Sequence, residues 1–193
     1  MTLQHEPRRT ITLNGVDYDF FPYYNRVLTL LSEVFASRTL TDFQKIQITV
    51  TSVSTMPPCK DAFELIVNEL FPPQKKIGGD DDPKTMDFEQ DAGLIYAGFL
   101  QTYGIDLYKE RNKMDWRVFI ALVRGLPSNT EFSRVVKLRC TKIPKLDKHN
   151  AEYVESLMKA KRAVELEEPA EVKRKRMAQK WLQIAEGLLN VRR

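Results

Sequence analysis

The stretch DFEQDAGLIYAGFLQTYGIDL, residues 87–107, carries the most regular pattern in this chain of 193 residues. Asp87 with Gln90 three residues later is typical of a helix capping box, with Asp in place of Ser or Thr. Asp91 falls in the first turn, where the helix dipole favours a carboxylate. Gly104 is a natural left-handed helix terminator. The pattern therefore predicts a helix that follows the Asp87 cap and ends at Gly104.

One face of this predicted helix is apolar. Its members fall within about 100° of one another on a helical wheel, and they are Phe88, Ala92, Ile95, Tyr96, Phe99 and Tyr103. Gly93 and Gly98 each weaken a helix by about 1 kcal/mol relative to Ala. We therefore expect both glycines to permit the close approach of another element. The acids cap and the aromatic residues pack, so no catalytic role is needed to explain them.

Two further helices are predicted directly downstream. Asp115 can cap a helix that carries Trp116 and Phe119 and that stops at Gly125, and Ser128 with Glu131 forms another capping box. Three helices joined by tight turns are expected to form a local bundle.

A β-hairpin is predicted near the start of the chain. Asn14-Gly15 lies between two runs of alternating apolar and polar residues, which is the strongest short hairpin signal. Two strands alone are marginal in water, so the hairpin must pack on something else. Helices are predicted next at residues 25–35, from the capping box Thr41–Gln44, and at 61–71. The β-branched residues 49–55 favour fraying at the end of the second of these helices.

The predicted fold class is mainly α, a multi-helix bundle with a small N-terminal β-hairpin and two long C-terminal helices. Four segments are predicted: residues 1–73 with the hairpin and short helices, an acidic loop at 74–86, a central helical segment at 87–146, and charged helices at 147–193. They are expected to form one compact domain with a helical extension.

Composition favours a soluble, cytosolic protein. The hydrophobic fraction is 42% and the charged fraction 29%, and no apolar run is long enough for a membrane span or a signal peptide. Cys59 and Cys140 form no CxxC pair, so we expect them to be small buried hydrophobic residues in a reducing compartment. Neither His5 nor His149 has a suggestive partner, and no phosphate-binding glycine loop occurs. The sequence predicts no enzyme, no cofactor and no metal site, including at the three aspartates 80–82.

The excess positive charge lies at the C-terminal end. Residues 155–193 hold ten Lys/Arg and six Asp/Glu, which accounts for the whole net charge of +4. The run Lys173–Arg176 would ring a helix rather than line one face, and no aromatic residue alternates with it. A solvated helix is therefore the favoured interpretation. The alternative is a DNA-binding or packaging accessory protein that uses this basic helix.

The last predicted helix carries a narrow apolar stripe at steps of four and three residues. It consists of Met177, Trp181, Ile184, Leu188 and Val191. Two interpretations stay open, since the stripe either docks on the protein's own core or binds a partner protein. It is the predicted partner-binding surface.

Residues 87–107, followed by DWRVFIALVRGLPSNTEF at 115–132, resemble the bacteriophage "gene product fifteen" family of long-tailed phages that infect Gram-positive bacteria. The matching positions are Asp87, Phe88, Asp91, Ala92, Ile95, Tyr96, Ala97, Phe99, Tyr103–Leu107, Trp116, Phe119, Ala121, Leu122, Gly125, Leu126, Pro127 and Thr130. The resemblance is strong over about residues 87–140. Family members commonly have a second tryptophan where this chain has Arg117, and often histidine where it has Asp115.

The resemblance implies a tail-assembly chaperone, because such genes are typically found between those for the major tail protein and the tape-measure protein. The implied partner is the tape-measure protein, with the major tail (tube) protein and a second copy of the chain as further possible partners. The implied location is the host cell cytoplasm, outside the mature virion. No catalytic residues carry over, and a phage hydrolase would require a site assembled from scattered residues.

Overall fold

Most of the described chain is α-helical, with one two-stranded hairpin at its N-terminal end. The computed structural model describes residues 7–72 and 85–167. Contacts divide the chain into two compact units, Met1–Lys142 and Ile143–Arg193. The predicted fold class, mainly α with a small N-terminal hairpin, is confirmed.

The hairpin forms as predicted and docks on a helix. Strand β1 (Thr10–Leu13) pairs antiparallel with strand β2 (Val16–Asp19). The turn residues Asn14 and Gly15 have φ values of 52° and 80°, the positive values that a type I′ turn requires. Beyond β2, the amide of Phe21 donates to the carbonyl of Val53 at 2.8 Å, which bonds this segment to the end of the helix that spans Asp42–Val53.

The next two helices correct one expectation. α1 (Tyr24–Thr29) continues directly into a π-helix (Leu30–Phe35), a geometry that the pattern did not predict. α2 (Asp42–Val53) begins at the predicted capping box of Thr41 and Gln44. The expected fraying of residues 49–55 is wrong as far as Val53, because α2 is held there by burial of its β-branched side chains. The buried residues are Thr49, Val50 and Val53, so tertiary packing outweighs helix propensity.

Both cysteines are exposed, which contradicts their predicted burial. Cys59 precedes α3 (Lys60–Leu70), and its Sγ accepts a hydrogen bond from the amide of Ala62 at 3.4 Å. It therefore has the role of a helix N-cap, which places a side chain at the helix end near solvent. Cys140 is the last residue of the helix Glu131–Cys140 and lies on its solvent-exposed side.

The central segment contains α4 (Ala92–Tyr103), α5 (Trp116–Arg124) and α6 (Glu131–Cys140). α4 starts later than predicted, since residues 88–91 form a separate turn. Its end agrees with prediction, because Gly104 has φ 66°. Residues 104–115 separate α4 from α5, so this connection is not the expected tight turn.

The start of α6 also differs from the prediction. Its N-cap is Thr130, whose Oγ1 accepts from the amide of Ser133 at 3.3 Å, rather than Ser128. The Thr130 hydroxyl is fully buried and donates to the carbonyl of Pro127 at 2.8 Å. The preceding residues are thereby folded into a turn, and the helix starts after them.

Aromatic side chains fill the centre of the first unit. Phe119 of α5 is 1% exposed. Its ring centroid lies 4.9 Å from that of Tyr24, 5.4 Å from that of Phe99 and 5.8 Å from that of Trp116. The Trp116 indole N–H donates to the carbonyl of Leu70 at 3.1 Å, so α5 is also bonded to the end of α3.

The second unit contains α7 (Ala151–Ala163), with Val154 and Leu157 buried. The charged helices were predicted to begin at residue 147, but α7 starts at Ala151 because residues 148–150 form a turn before it. The predicted last helix, residues 169–192, lies outside the described residues, as does nearly all of the acidic loop. No helix in the described ranges is long and apolar enough to cross a membrane.

Candidate functional site

The acids of residues 87–91 have structural partners. The Asp87 carboxylate accepts from the amides of Glu89 and Gln90 at 2.9 and 3.0 Å, so the predicted cap exists but closes the turn before α4. Asp91, 1% exposed, forms two hydrogen bonds with the Arg139 guanidinium at 2.7 and 2.9 Å. This bidentate pair joins the start of α4 to α6, a role that the helix pattern did not predict.

The aromatic residues of the motif divide between the core and the surface of the first unit. Phe99, Trp116 and Phe119 are buried, as expected for packing residues, and Phe88 packs against the last two. Tyr103 donates from its hydroxyl to the carbonyl of Leu122 at 2.9 Å and so bonds α4 to α5. Tyr96 differs from these, because it lies at the edge of an open groove.

The α1/α4 groove is an open depression of about 280 Å³ between α1, α4 and the connection that follows α4. Its floor consists of four buried side chains, those of Tyr24, Ile95, Leu107 and Phe119. Its rim contains Thr29 of α1, Ala92 and Tyr96 of α4, and Tyr108 and Arg111 of the connection. An apolar floor with a polar rim is the usual layout of a binding site for another protein.

The connection that forms one rim is held at both ends. The Tyr24 hydroxyl donates to the carbonyl of Leu107. Asn25 and Asn112 bond to each other twice, from Asn25 Nδ2 to Asn112 Oδ1 at 3.2 Å and from the Asn112 amide to Asn25 Oδ1 at 2.9 Å. Tyr108 and Arg111 lie between these two hydrogen-bonded positions, Leu107 and Asn112. The rim is therefore preorganised, which lowers the entropy lost on binding a partner.

Two tyrosines of the groove have perturbed acidity. Burial raises the pKa of Tyr24, and the nearby Arg111 opposes that shift by favouring the phenolate. Desolvation also raises the pKa of Tyr96, and the Asp106 carboxylate adds to the shift. Both phenols are therefore neutral hydrogen-bonding groups at pH 7. Neither is activated as a nucleophile or base.

A second depression, of about 290 Å³, lies between α1, the π-helix and α2. Arg26 spans it, since its Nη1 donates to the carbonyl of Ser52 at 2.9 Å. The π-helix lines both depressions, with Ser32 in the α1/α4 groove and Leu30 and Val34 in this one. π-helical turns are frequent at functional sites. The α1/α4 groove offers the more apolar floor to a partner, because Ile95, Leu107 and Phe119 line it.

The two positions that depart from the family pattern contact each other. Arg117 bonds to the Asp115 carboxylate through Nε at 3.0 Å and Nη2 at 2.9 Å, and to Glu69 of α3 at 2.6 Å. Its Nη2 also donates to the carbonyl of Arg8. Asp115 caps α5 through the amide of Arg117 at 2.8 Å. An ion-pair network thus joins α5 to α3, and a hydrogen bond joins it to the segment before β1.

The predicted partner-binding stripe lies outside the described residues, so it stays a prediction. It consists of Met177, Trp181, Ile184, Leu188 and Val191. The groove was missed by the sequence analysis because Tyr108 and Arg111 lie in an irregular connection, where no helical period marks a face. Within the described part of the chain, no group of three or more His, Cys, Asp or Glu side chains could hold a metal ion.

A family model described as "Bacteriophage Gp15 protein" matches residues 5–166. The matched range contains the hairpin, all the described helices and the α1/α4 groove, whereas the predicted stripe begins after it. No curated protein matches the chain, and no solved structure does.

Proposed function

The chain belongs to the bacteriophage Gp15 protein family, and from this premise we propose that it is a tail-assembly chaperone that binds the tape-measure protein and assists tail-tube assembly. The structural observation that carries the proposal is the α1/α4 groove, an open apolar surface with a fixed rim inside the matched residues. Family membership supplies the biological setting, and the groove supplies a surface on which such a partner could be held.

The groove suits a temporary helical partner. A tape-measure protein is a long helical protein whose apolar faces need cover before the tube forms around it, and such faces dock into grooves between helices. A chaperone must also release its partner. A shallow groove of about 280 Å³ favours modest affinity, since it can bury only a few partner side chains.

The rest of the proposal follows from the same role. The protein acts in the host cell cytoplasm, without catalysis, and is absent from the mature virion. The major tail (tube) protein would be a further partner, because tube subunits must replace the chaperone on the tape-measure protein. Self-association would let several copies cover one long partner.

Co-expression tests the proposal. The tape-measure protein of the same phage is produced with and without this chain, and its soluble fraction and co-purification are measured. We expect the tape-measure protein to be soluble and to co-purify only when the chain is present. Equal insolubility in both cultures, with no co-purification, would contradict the function.

The predicted C-terminal stripe can be tested in the same assay. Replacing both Trp181 and Leu188 by Ala should weaken the complex if the stripe binds the partner. Undiminished co-purification of this double variant would remove the stripe as the binding surface and leave the proposed function intact.

A further inference from the structure

We propose that the α1/α4 groove binds one amphipathic helix, whose apolar residues insert between α1 and α4 and whose carboxylate pairs with Arg111. The natural partner, a segment of the tape-measure protein, rests on the proposed function. The chemical character of the partner is inferred from the groove alone, which has an apolar floor, a single charged side chain and a fixed rim.

The floor selects apolar side chains. Ile95, Leu107 and Phe119 present carbon surface at the bottom of the groove and are themselves held by the core. The two walls are helices, α1 and α4. A third helix can lay a ridge of side chains between them, with anchors every three or four residues on one face. The groove volume matches a few such anchors rather than a cofactor, which needs a deeper and more enclosed site.

The rim selects a negative charge. Arg111 is the one charged side chain among the described residues that line the groove, and it makes no ion pair with any of them. The nearby Asp106 is already engaged, since it accepts from the amide of Tyr108 at 3.0 Å and lies 3.7 Å from the Lys109 ammonium. A partner carboxylate beside Arg111 would gain a charge-assisted hydrogen bond, and a partner lysine would be repelled.

Tyr108 adds a specific anchor next to this charge. Its ring is 70% exposed and lies 5.1 Å from the ring of Tyr96, centroid to centroid. A tyrosine pair beside an arginine, with Tyr108 exposed and Tyr96 partly buried, has the composition of a binding hot spot. Because the connection is fastened at Leu107 and Asn112, these side chains are held beside the groove before a partner arrives.

The experiment uses two labelled synthetic helices of about 18 residues with the same leucine stripe. One has glutamate beside the stripe, the other lysine at the same positions, and fluorescence anisotropy measures their binding to the full chain. We expect the glutamate helix to bind the wild type about tenfold more tightly. Arg111→Glu should reverse this preference, whereas the exposed Lys113→Glu, which makes the same charge change outside the groove, should keep it.

A matched pair of alanines tests the groove itself. Ala92 and Ala97 are both exposed in α4, but only Ala92 lines the groove. Ala92→Trp should weaken binding of the glutamate helix about tenfold, because the indole fills the space between α1 and α4, and Ala97→Trp should change it less than about twofold. Circular dichroism confirms that both variants are folded.

Several results would overturn the inference. Three of them are binding results: equal affinity for the two helices, no saturable binding of either, or equal effects of the two tryptophan variants. The fourth is a wild-type dimer that Ala92→Trp dissociates, because a second copy of the chain would then occupy the groove. Other results distinguish a failure of this inference from a failure of the proposed function. If Ala92→Trp still co-purifies the tape-measure protein at the wild-type level, the groove is not its site, but the chaperone role stands. If the synthetic helices behave as expected and the tape-measure protein never binds, the chaperone role falls and the groove chemistry stands.

Discussion

The two sides of α4 meet their neighbours in different ways. On one side the contacts are close and specific, with Asp91 paired to Arg139 and the Gly98 backbone against Leu126. On the other side Ala92 and Tyr96 border the α1/α4 groove. The closed side fixes the position of the helix, so the open side can present apolar surface without collapsing.

This difference separates stability from binding within one helix. Substitutions on the closed side should unfold the protein, because buried groups there have partners that cannot reach water. Substitutions on the open side should leave the fold intact and change only what the groove can hold. The following predictions test that division, from the largest expected effect to the smallest.

Asp91→Ala should lower the free energy of unfolding by about 3–5 kcal/mol, measured by urea denaturation. The change removes the two hydrogen bonds of the Asp91 carboxylate to the Arg139 guanidinium, whose side chain is 11% exposed. It also removes the acceptor of the Asp87 amide. A loss of less than about 1 kcal/mol would mean that the closed side does not hold α4.

Two controls accompany this variant. Glu131→Ala removes an ion pair with Arg134 in which both side chains are 63% exposed, and it should cost less than about 0.5 kcal/mol. The double variant Asp91→Ala with Arg139→Leu should be less destabilised than Asp91→Ala alone, because it also removes the largely buried guanidinium that was bonded to Asp91.

The sequence predicted the elements of the closed side better than their partners. The terminator at Gly104 and the packing of Phe99 follow from local rules and are confirmed, whereas the Asp87 carboxylate caps the turn before α4 rather than the helix itself. The pairing of Asp91 with Arg139 joins residues far apart in sequence, and the local pattern explained Asp91 as part of a helix turn. Local sequence patterns place the Asp91 carboxylate near a helix start, but only the folded structure shows that Arg139 is the cation beside it.

The two glycines of α4 also show that local sequence patterns do not identify neighbours distant in sequence. Gly98 was expected to permit close approach, and a Cβ there would lie 3.1 Å from Leu126 Cδ1. Gly93 was expected to do the same, but nothing lies within 4 Å of a Cβ at that position. The prediction is confirmed for Gly98 and wrong for Gly93. Spacing alone does not tell which side of α4 each glycine faces.

Gly98→Val should therefore destabilise the protein by about 1–3 kcal/mol in urea, because its methyl groups overpack Leu126. Gly93→Ala is the matched control. It should stabilise the protein by about 0.5–1 kcal/mol, since Ala favours a helix and meets no neighbour there. Equal effects of the two substitutions would show that both glycines face the same kind of environment.

The groove itself could not be predicted from the sequence. The sequence predicts Ile95 on the apolar face of a helix and Phe119 on the next helix, and both are buried. What makes them a site is the distance left between α1 and α4, and no local pattern encodes that distance. One part of the rim belongs to the connection at residues 104–115. The position of this connection depends on long-range hydrogen bonds to Tyr24 and Asn25.

Tyr24→Phe tests one of those hydrogen bonds and should have the smallest effect. It removes the hydrogen bond to the Leu107 carbonyl, and we expect a loss of about 1 kcal/mol at pH 7. Because burial raises the pKa of Tyr24 in the folded state, folding retains its proton while the unfolded chain loses it near pH 10. Wild-type stability relative to Tyr24→Phe should therefore be constant below pH 10 and fall as the pH rises above it.

Tyr153→Phe is the control for loss of a hydroxyl, since Tyr153 is more than half exposed and its hydroxyl bonds to no described residue. At pH 7 it should cost much less stability than Tyr24→Phe. A difference for Tyr24→Phe that did not decline above pH 10 would contradict a buried, neutral phenol at the groove floor. If the loss at pH 7 instead approached that of Asp91→Ala, the floor of the groove would contribute to stability as strongly as the closed side, and the division between the two sides of α4 would fail.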